Sequence, residues 1–159
     1  MVHEASRVIL KLIDMEENVG KLYRIFGSVH PADFEFWMQL ANEEDRHATL
    51  LRTHREYIAE SPVLHDRLLA SSVETLFAIN SRIEEILLSR SNQVPNREDC
   101  FIIAIQIEQS AGEIHFQNTV TTADDDIAFQ VLQTLYADDH DHADRIKVYM
   151  TRRISHAHF

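Results

Sequence analysis

Three glycines and three prolines are the only strong turn formers in 159 residues. A sheet protein of this length needs many tight turns, so a chain with so few is expected to be built from long helices. Its apolar periodicity agrees. From about Ala5 to Phe26, the residues Val8, Leu12, Val19, Tyr23 and Phe26 fall on one helical stripe, with Gly27 at its C-terminal end. Pro31 then opens a second helix from about Ala32 to Ala59, which carries Trp37, Leu40, Leu51 and Ile58 on one face. Ser71 and Glu74 read as a capping box for a helix running to about Ser89. Asn96 caps another from about Arg97 to Val120, and Asp124, Asp125 and Asp126 place negative charge at the start of the last one, where the helix dipole favours it. No strand is expected, so the fold class is all-α.

Composition narrows the function classes. At 45% apolar and 26% charged, residues 1–159 are expected to form a single domain with one real core. The lone Cys100 excludes a disulfide scaffold, a zinc ribbon and a four-cysteine iron site within this chain. A net charge of -11 argues against nucleic acid or an anionic membrane as partner. The first residues lack the basic start and apolar run of a signal peptide, and no apolar stretch reaches membrane-spanning length, so a cytoplasmic protein is expected. The basic tail of Arg145, Lys147, Arg152 and Arg153 reads as a helix end complementing its dipole. Within residues 73–88, the apolar residues Val73, Leu76, Phe77, Ile83, Ile86 and Leu87 exceed what packing on one flank requires, which suggests a homodimer.

The connections set the topology. Short links join the first long helix to the second and the third to the fourth, while a long segment with an extra helix separates the two pairs. Two antiparallel hairpins with a long crossover form the ferritin-like arrangement of a four-helix bundle, although loop lengths alone leave other helical connectivities open. The two hairpins also resemble each other. Residues 13–20 lie without a gap over residues 105–112, aligning Glu16 with Glu108, and residues 40–48 lie over 135–143, aligning Glu44 and His47 with Asp139 and His142. Such self-similarity implies two equivalent halves.

In each half a lone glutamate is followed on the next helix by a carboxylate and a histidine three residues apart, a spacing that puts both on one helix face. Chance alone supplies about as many such pairs in a chain rich in acids and histidines, so placement is what informs. Glu16 lies on the Leu12–Tyr23 stripe, Glu44 and His47 interrupt the Leu40–Leu51 stripe, Glu108 follows Phe101 and Ala104, and Asp139 and His142 sit between Leu135 and Ile146. All six are thus expected to face inward at similar depth. Four carboxylates cannot enter a core as bare anions. They must be protonated, meet Lys or Arg, or bind cations. The inner stripes carry no Lys or Arg, and Arg46 falls on a neighbouring face. Two divalent ions would neutralise four carboxylates in full. Oxygen ligands with two imidazoles suit iron or manganese, and zinc stays open.

Glu on one helix, Glu-x-x-His on the next and the same pattern again resembles the rubrerythrin-like members of the ferritin-like di-iron carboxylate proteins, over nearly the whole chain. The resemblance implies that Glu44 and Asp139 bridge two metal ions, that Glu16 and Glu108 cap one ion each, and that His47 and His142 give one nitrogen each. It further implies an oxidoreductase acting on peroxide or oxygen, or iron oxidation for storage, with a manganese-catalase-like or zinc role as further readings. In the wider class, acids such as Glu43 and Asp138 orient the histidine of the opposite pair; the alternative is that they are solvated surface acids. Three departures stand out. Asp139 is one methylene shorter than the usual glutamate, Ala111 stands where rubrerythrins carry an additional glutamate, and no four-cysteine rubredoxin-like tail is present, so electrons must come from an external donor such as a rubredoxin-type protein. Tyr23 matches the family's site-proximal tyrosine, as a donor to bound oxygen or as packing. Its counterpart seven residues after Glu108 is His115, which reads as an extra ligand, a proton donor or a hydrogen-bonded core histidine.

Overall fold

The computed structural model describes residues 2–61, 73–88, 95–119 and 127–155. These form α1 (Val2–Val29), a 3-10 turn (Pro31–Asp33), α2 (Phe34–Thr53), α3 (Arg55–Glu60), α4 (Val73–Leu88), α5 (Arg97–Thr119) and α6 (Ile127–Ser155), with no strand among the described residues. None of these helices is long and apolar enough to cross a membrane.

Local chemistry explains most of the boundaries. Asn96 Oδ1 accepts the Asp99 amide at 2.9 Å, capping α5. Gly27 is not the end of α1 but lies inside its last turns. A Cβ there would come within 3.3 Å of Trp37 Cβ, so its small size lets the chain fold back tightly onto α2. The single second helix expected to run to Ala59 is broken at His54, whose ψ of 11° takes it out of helical geometry before α3 resumes. Ser71 of the capping box and the Asp124–Asp126 run lie outside the described residues.

α1 packs along α2, and α5 along α6. Both pairs are antiparallel: Glu17 pairs with Arg52 and Arg24 with Asp45, while Glu108 approaches His142 and His115 approaches Asp139. α4 lies against α1 and α5, with Asn80 Nδ2 donating to the Lys11 carbonyl at 3.1 Å and Arg82 to Gln106 at 2.8 Å. Of the six residues read as a face for a second copy, Leu76 and Ile83 are buried inside the chain, Val73, Ile86 and Leu87 pack partly buried against its core, and Phe77 is 47% exposed. The core runs the length of the four long helices, from Val8 and Ile9 to Leu132 and Ile146. At one end, Tyr23, Phe26, Trp37 and Phe101 pack ring on ring, with Phe36 stacked on Tyr149 at 4.0 Å.

A buried acid fastens this end. The Asp33 carboxylate is wholly enclosed and receives Arg97 Nε at 2.6 Å, Arg97 Nη2 at 2.7 Å and the Tyr149 hydroxyl at 3.0 Å. Burial opposes its charge, but Arg97 and Tyr149 hold its pKa below the usual value. It ties the 3-10 turn to the start of α5 and the end of α6. Breaking a buried pair from the acid side leaves its partners uncompensated. Asp33→Ala should therefore lower stability by about 2–3 kcal/mol, less than the roughly 3–5 kcal/mol of a fully buried pair because Arg97 keeps some contact with water. Denaturant unfolding of both proteins would check this, and an unchanged midpoint would contradict it.

Candidate metal centre

Four helices deliver seven polar side chains to one place in the core. Glu16 comes from α1, Glu44 and His47 from α2, Glu108 and His115 from α5, and Asp139 and His142 from α6, and each is 4% exposed or less. Close helix approach makes this possible. A Cβ at Gly20 would lie 3.3 Å from the Ala41 carbonyl oxygen, and one at Gly112 would lie 3.6 Å from Asp139 Cβ. Each glycine follows a lone glutamate, Glu16 or Glu108, by one helical turn; Gly20 lets α1 and α2 come together tightly beside Glu16, whereas a side chain at Gly112 would meet only ordinary contact.

The two histidines are held alike. His47 Nε2 lies 3.1 Å from Asp138 Oδ2 on α6, and His142 Nε2 lies 2.8 Å from Glu43 Oε2 on α2. Each ring therefore turns Nδ1 inward. His47 Nδ1 is 3.1 Å from Glu44 Oε2 and 3.5 Å from Glu16 Oε2. His142 Nδ1 is 2.9 Å from Glu44 Oε1 and 3.5 Å from Glu108 Oε2. Glu44 thus lies between the rings with one oxygen toward each, and the rings stack at 5.3 Å. Tyr23 donates its hydroxyl to Glu108 Oε1. His115 Nδ1 lies 2.6 Å from Asp139 Oδ2. Arg145, read from sequence as a dipole partner, instead grips Glu43 at 2.6 Å and steadies the acid that holds His142. Its spacing of three residues from His142 was the available signal.

Without an ion, protons carry the compensating charge. Burial works against charged imidazoles, but Glu16 and Glu44 raise His47 to about 12, and Glu108 and Glu44 raise His142 to about 11. Burial and the Glu108 charge push Glu44 up to about 8. Burial also lifts Asp139 to about 6 against the pull of His115. Burial and Glu108 raise Tyr23 well above its usual value, so it keeps its proton.

Hydrogen bonding nevertheless leaves the cluster incomplete. Among the described residues, seven buried side-chain polar atoms lack a hydrogen-bond partner, and five of them are here: Glu16 Oε1, Glu44 Oε1, His115 Nε2, Asp139 Oδ1 and His142 Nδ1. His142 Nδ1 and Glu44 Oε1 are 2.9 Å apart yet not aligned for a hydrogen bond. That spacing suits two ligands on one ion at about 2.0–2.2 Å from each. Three overlapping sets, Glu16–His47–Asp139, Glu108–Asp139–His142 and Glu44–His47–His142, each bring ligand atoms within 4.8 Å of one another. None of the four carboxylates meets a Lys or Arg among the described residues. The residues fit cation binding. Comparison with protein-family models, curated proteins and solved structures finds no match to this chain, so the chemistry of these side chains carries the functional reading.

The raised groups set a pH dependence. His47 and His142 have folded pKa values above the unfolded 6.5, and Glu44 lies above the unfolded 4.5. Each therefore stabilises the ion-free fold fully below its unfolded value and loses that contribution as pH rises toward its folded value. Glu16, shifted downward, acts in the opposite sense only below about pH 4.5. From pH 6.5 to 9 the ion-free chain should lose on the order of 1 kcal/mol per pH unit for each of the two histidines, with Glu44 adding to the loss only up to its folded value of about 8. A divalent ion competes with the same protons, so its stabilisation should grow over this window. Thermal unfolding with and without chelator at several pH values reads both effects. A melting temperature insensitive to chelator throughout would contradict cation binding.

Proposed function

We propose that the chain is a ferritin-like four-helix bundle that holds two metal ions, iron first and manganese or zinc as alternatives, and acts as an oxidoreductase on peroxide or dioxygen. One observation carries the reading: the buried polar atoms without partners converge within a repeated set of carboxylates and imidazoles. Glu16, His47 and Asp139 would hold one ion and Glu108, His142 and Asp139 the other, with Glu44 between them. Bound iron would supply one electron per ion, the pair that reduction of one peroxide requires.

The chain's own groups have definite tasks. Asp138 and Glu43 fix the histidine tautomers, a coupling that sharpens ligand basicity as well as orientation. Tyr23 keeps its own proton and donates it in a hydrogen bond to Glu108 Oε1, which sets a neutral hydroxyl at the edge of the cluster. A solvent-facing cleft of about 440 Å³, lined by Arg46, Arg145 and the two acids that hold the histidines, comes up to the outer side of both rings. Electrons need an outside source. Cys100 is the sole cysteine, it is buried, and burial pushes its thiol up to about 12, so it stays an inert thiol.

The test is turnover by the ferrous-loaded chain. It should consume about one peroxide per pair of ions and stop, then resume when a rubredoxin-type donor with its reductase is added. Continued oxidation of added ferrous iron without a donor would replace this with an iron-handling role. Steady peroxide turnover by the chain alone would point to a catalase-like manganese site.

A further inference from the structure

We infer that His115 Nε2 is a seventh ligand, directed to the ion held by Glu16 and His47, so that the two ions have unlike surroundings. The inference rests on the two-ion reading above. His115 is completely buried, and its Nδ1 lies 2.6 Å from Asp139 Oδ2. Its Nε2 has no hydrogen-bond partner and stands 3.6 Å from Glu16 Oε1, which also has none. Two ligands of one ion at about 2.0–2.2 Å each lie at most about 4.4 Å apart, so these two atoms can share one.

The form of the residue is the second argument. A metal-ligating histidine usually gives its other ring N–H to a carboxylate. His47 does so to Asp138, and His142 to Glu43. His115 shows the same arrangement with the nitrogens exchanged: Nδ1 on Asp139, Nε2 toward the cluster.

The register supplies the third. Tyr23 and His115 occupy matching positions, seven residues beyond Glu16 and Glu108. The Tyr23 hydroxyl crosses to Glu108 Oε1 and occupies that oxygen. His115 crosses toward Glu16 but presents a nitrogen to an oxygen left open. One half thus places a hydroxyl where the other places a ring nitrogen, which offers a lone pair to a cation once Nδ1 alone carries the ring proton. Asp139 completes the difference, because its Oδ2 is turned to His115 and only Oδ1 is without a partner. The Glu16 side gathers two imidazoles and the Glu108 side one. Added nitrogen favours later first-row ions, while the oxygen-richer side suits harder ones.

Cobalt(II) alone is the probe. Proton NMR of the chain carrying two cobalt ions, in water, should show three strongly shifted exchangeable ring N–H signals. The signal of enclosed His115 should be the slowest to exchange with deuterium and should disappear in His115→Gln. Cobalt titration of the native chain should resolve a tight and a weaker step, and His115→Gln should weaken the tight step by at least about tenfold while still binding two ions. Two shifted N–H signals with two ions bound would overturn the His115 ligand and leave the two-ion reading standing. No bound cobalt at all would overturn both. Should the variant misfold, the signal count in the native chain decides by itself.

Discussion

Burying four carboxylates beside one another without a lysine or arginine is the constraint on which the rest of this molecule turns. Each ionised acid in a core costs several kcal/mol unless opposite charge reaches it. Among the described residues, Glu16, Glu44, Glu108 and Asp139 find only imidazoles, the Tyr23 hydroxyl and each other. The helices must approach closely enough to share whatever charge arrives, and on the α1–α2 side Gly20 makes that approach. The rings must keep one nitrogen inward, and Asp138, Glu43 and Arg145 hold them so. Protons can neutralise such a cluster, yet five of its buried polar atoms still lack a hydrogen-bond partner.

Much of this was readable in the residues before any coordinates. The scarcity of glycine and proline pointed to helices, and helices are what the described residues form. Stripe periodicity put Glu16, Glu44, His47, Glu108, Asp139 and His142 on apolar faces, and all six are buried. Periodicity fixes which face a residue occupies, not what stands opposite. For that reason the bidentate grip of Arg97 on Asp33 and the reach of Arg145 to Glu43 escaped notice, since each joins helices far apart in sequence. The break at His54 escaped for a different reason: it carries no glycine or proline, and the helical stripe continues through it to Ile58.

The internal repeat explains both the order of the site and its asymmetry. Each half reaches into the other, Tyr23 to Glu108 and His115 toward Glu16, and the opposed histidines exchange carboxylate partners across α2 and α6. Duplicated scaffolds keep backbone positions equivalent while individual side chains diverge. Among the groups of the cluster and those that hold its histidines, the halves diverge at Tyr23 against His115, Glu44 against Asp139 and Glu43 against Asp138. The shorter Asp139 leaves room for an imidazole that a glutamate would crowd, so the two departures are best understood together.

The central claim is that this core is built around two cations, and counting them is the most direct test. Native mass spectrometry of the reconstituted chain near neutral pH, beside the double variant Glu16→Gln, Glu108→Gln, reads the number of ions per chain. A buried two-ion centre predicts two in the native chain and fewer in the variant. A native chain that takes up none, or a variant that still holds two, would contradict it.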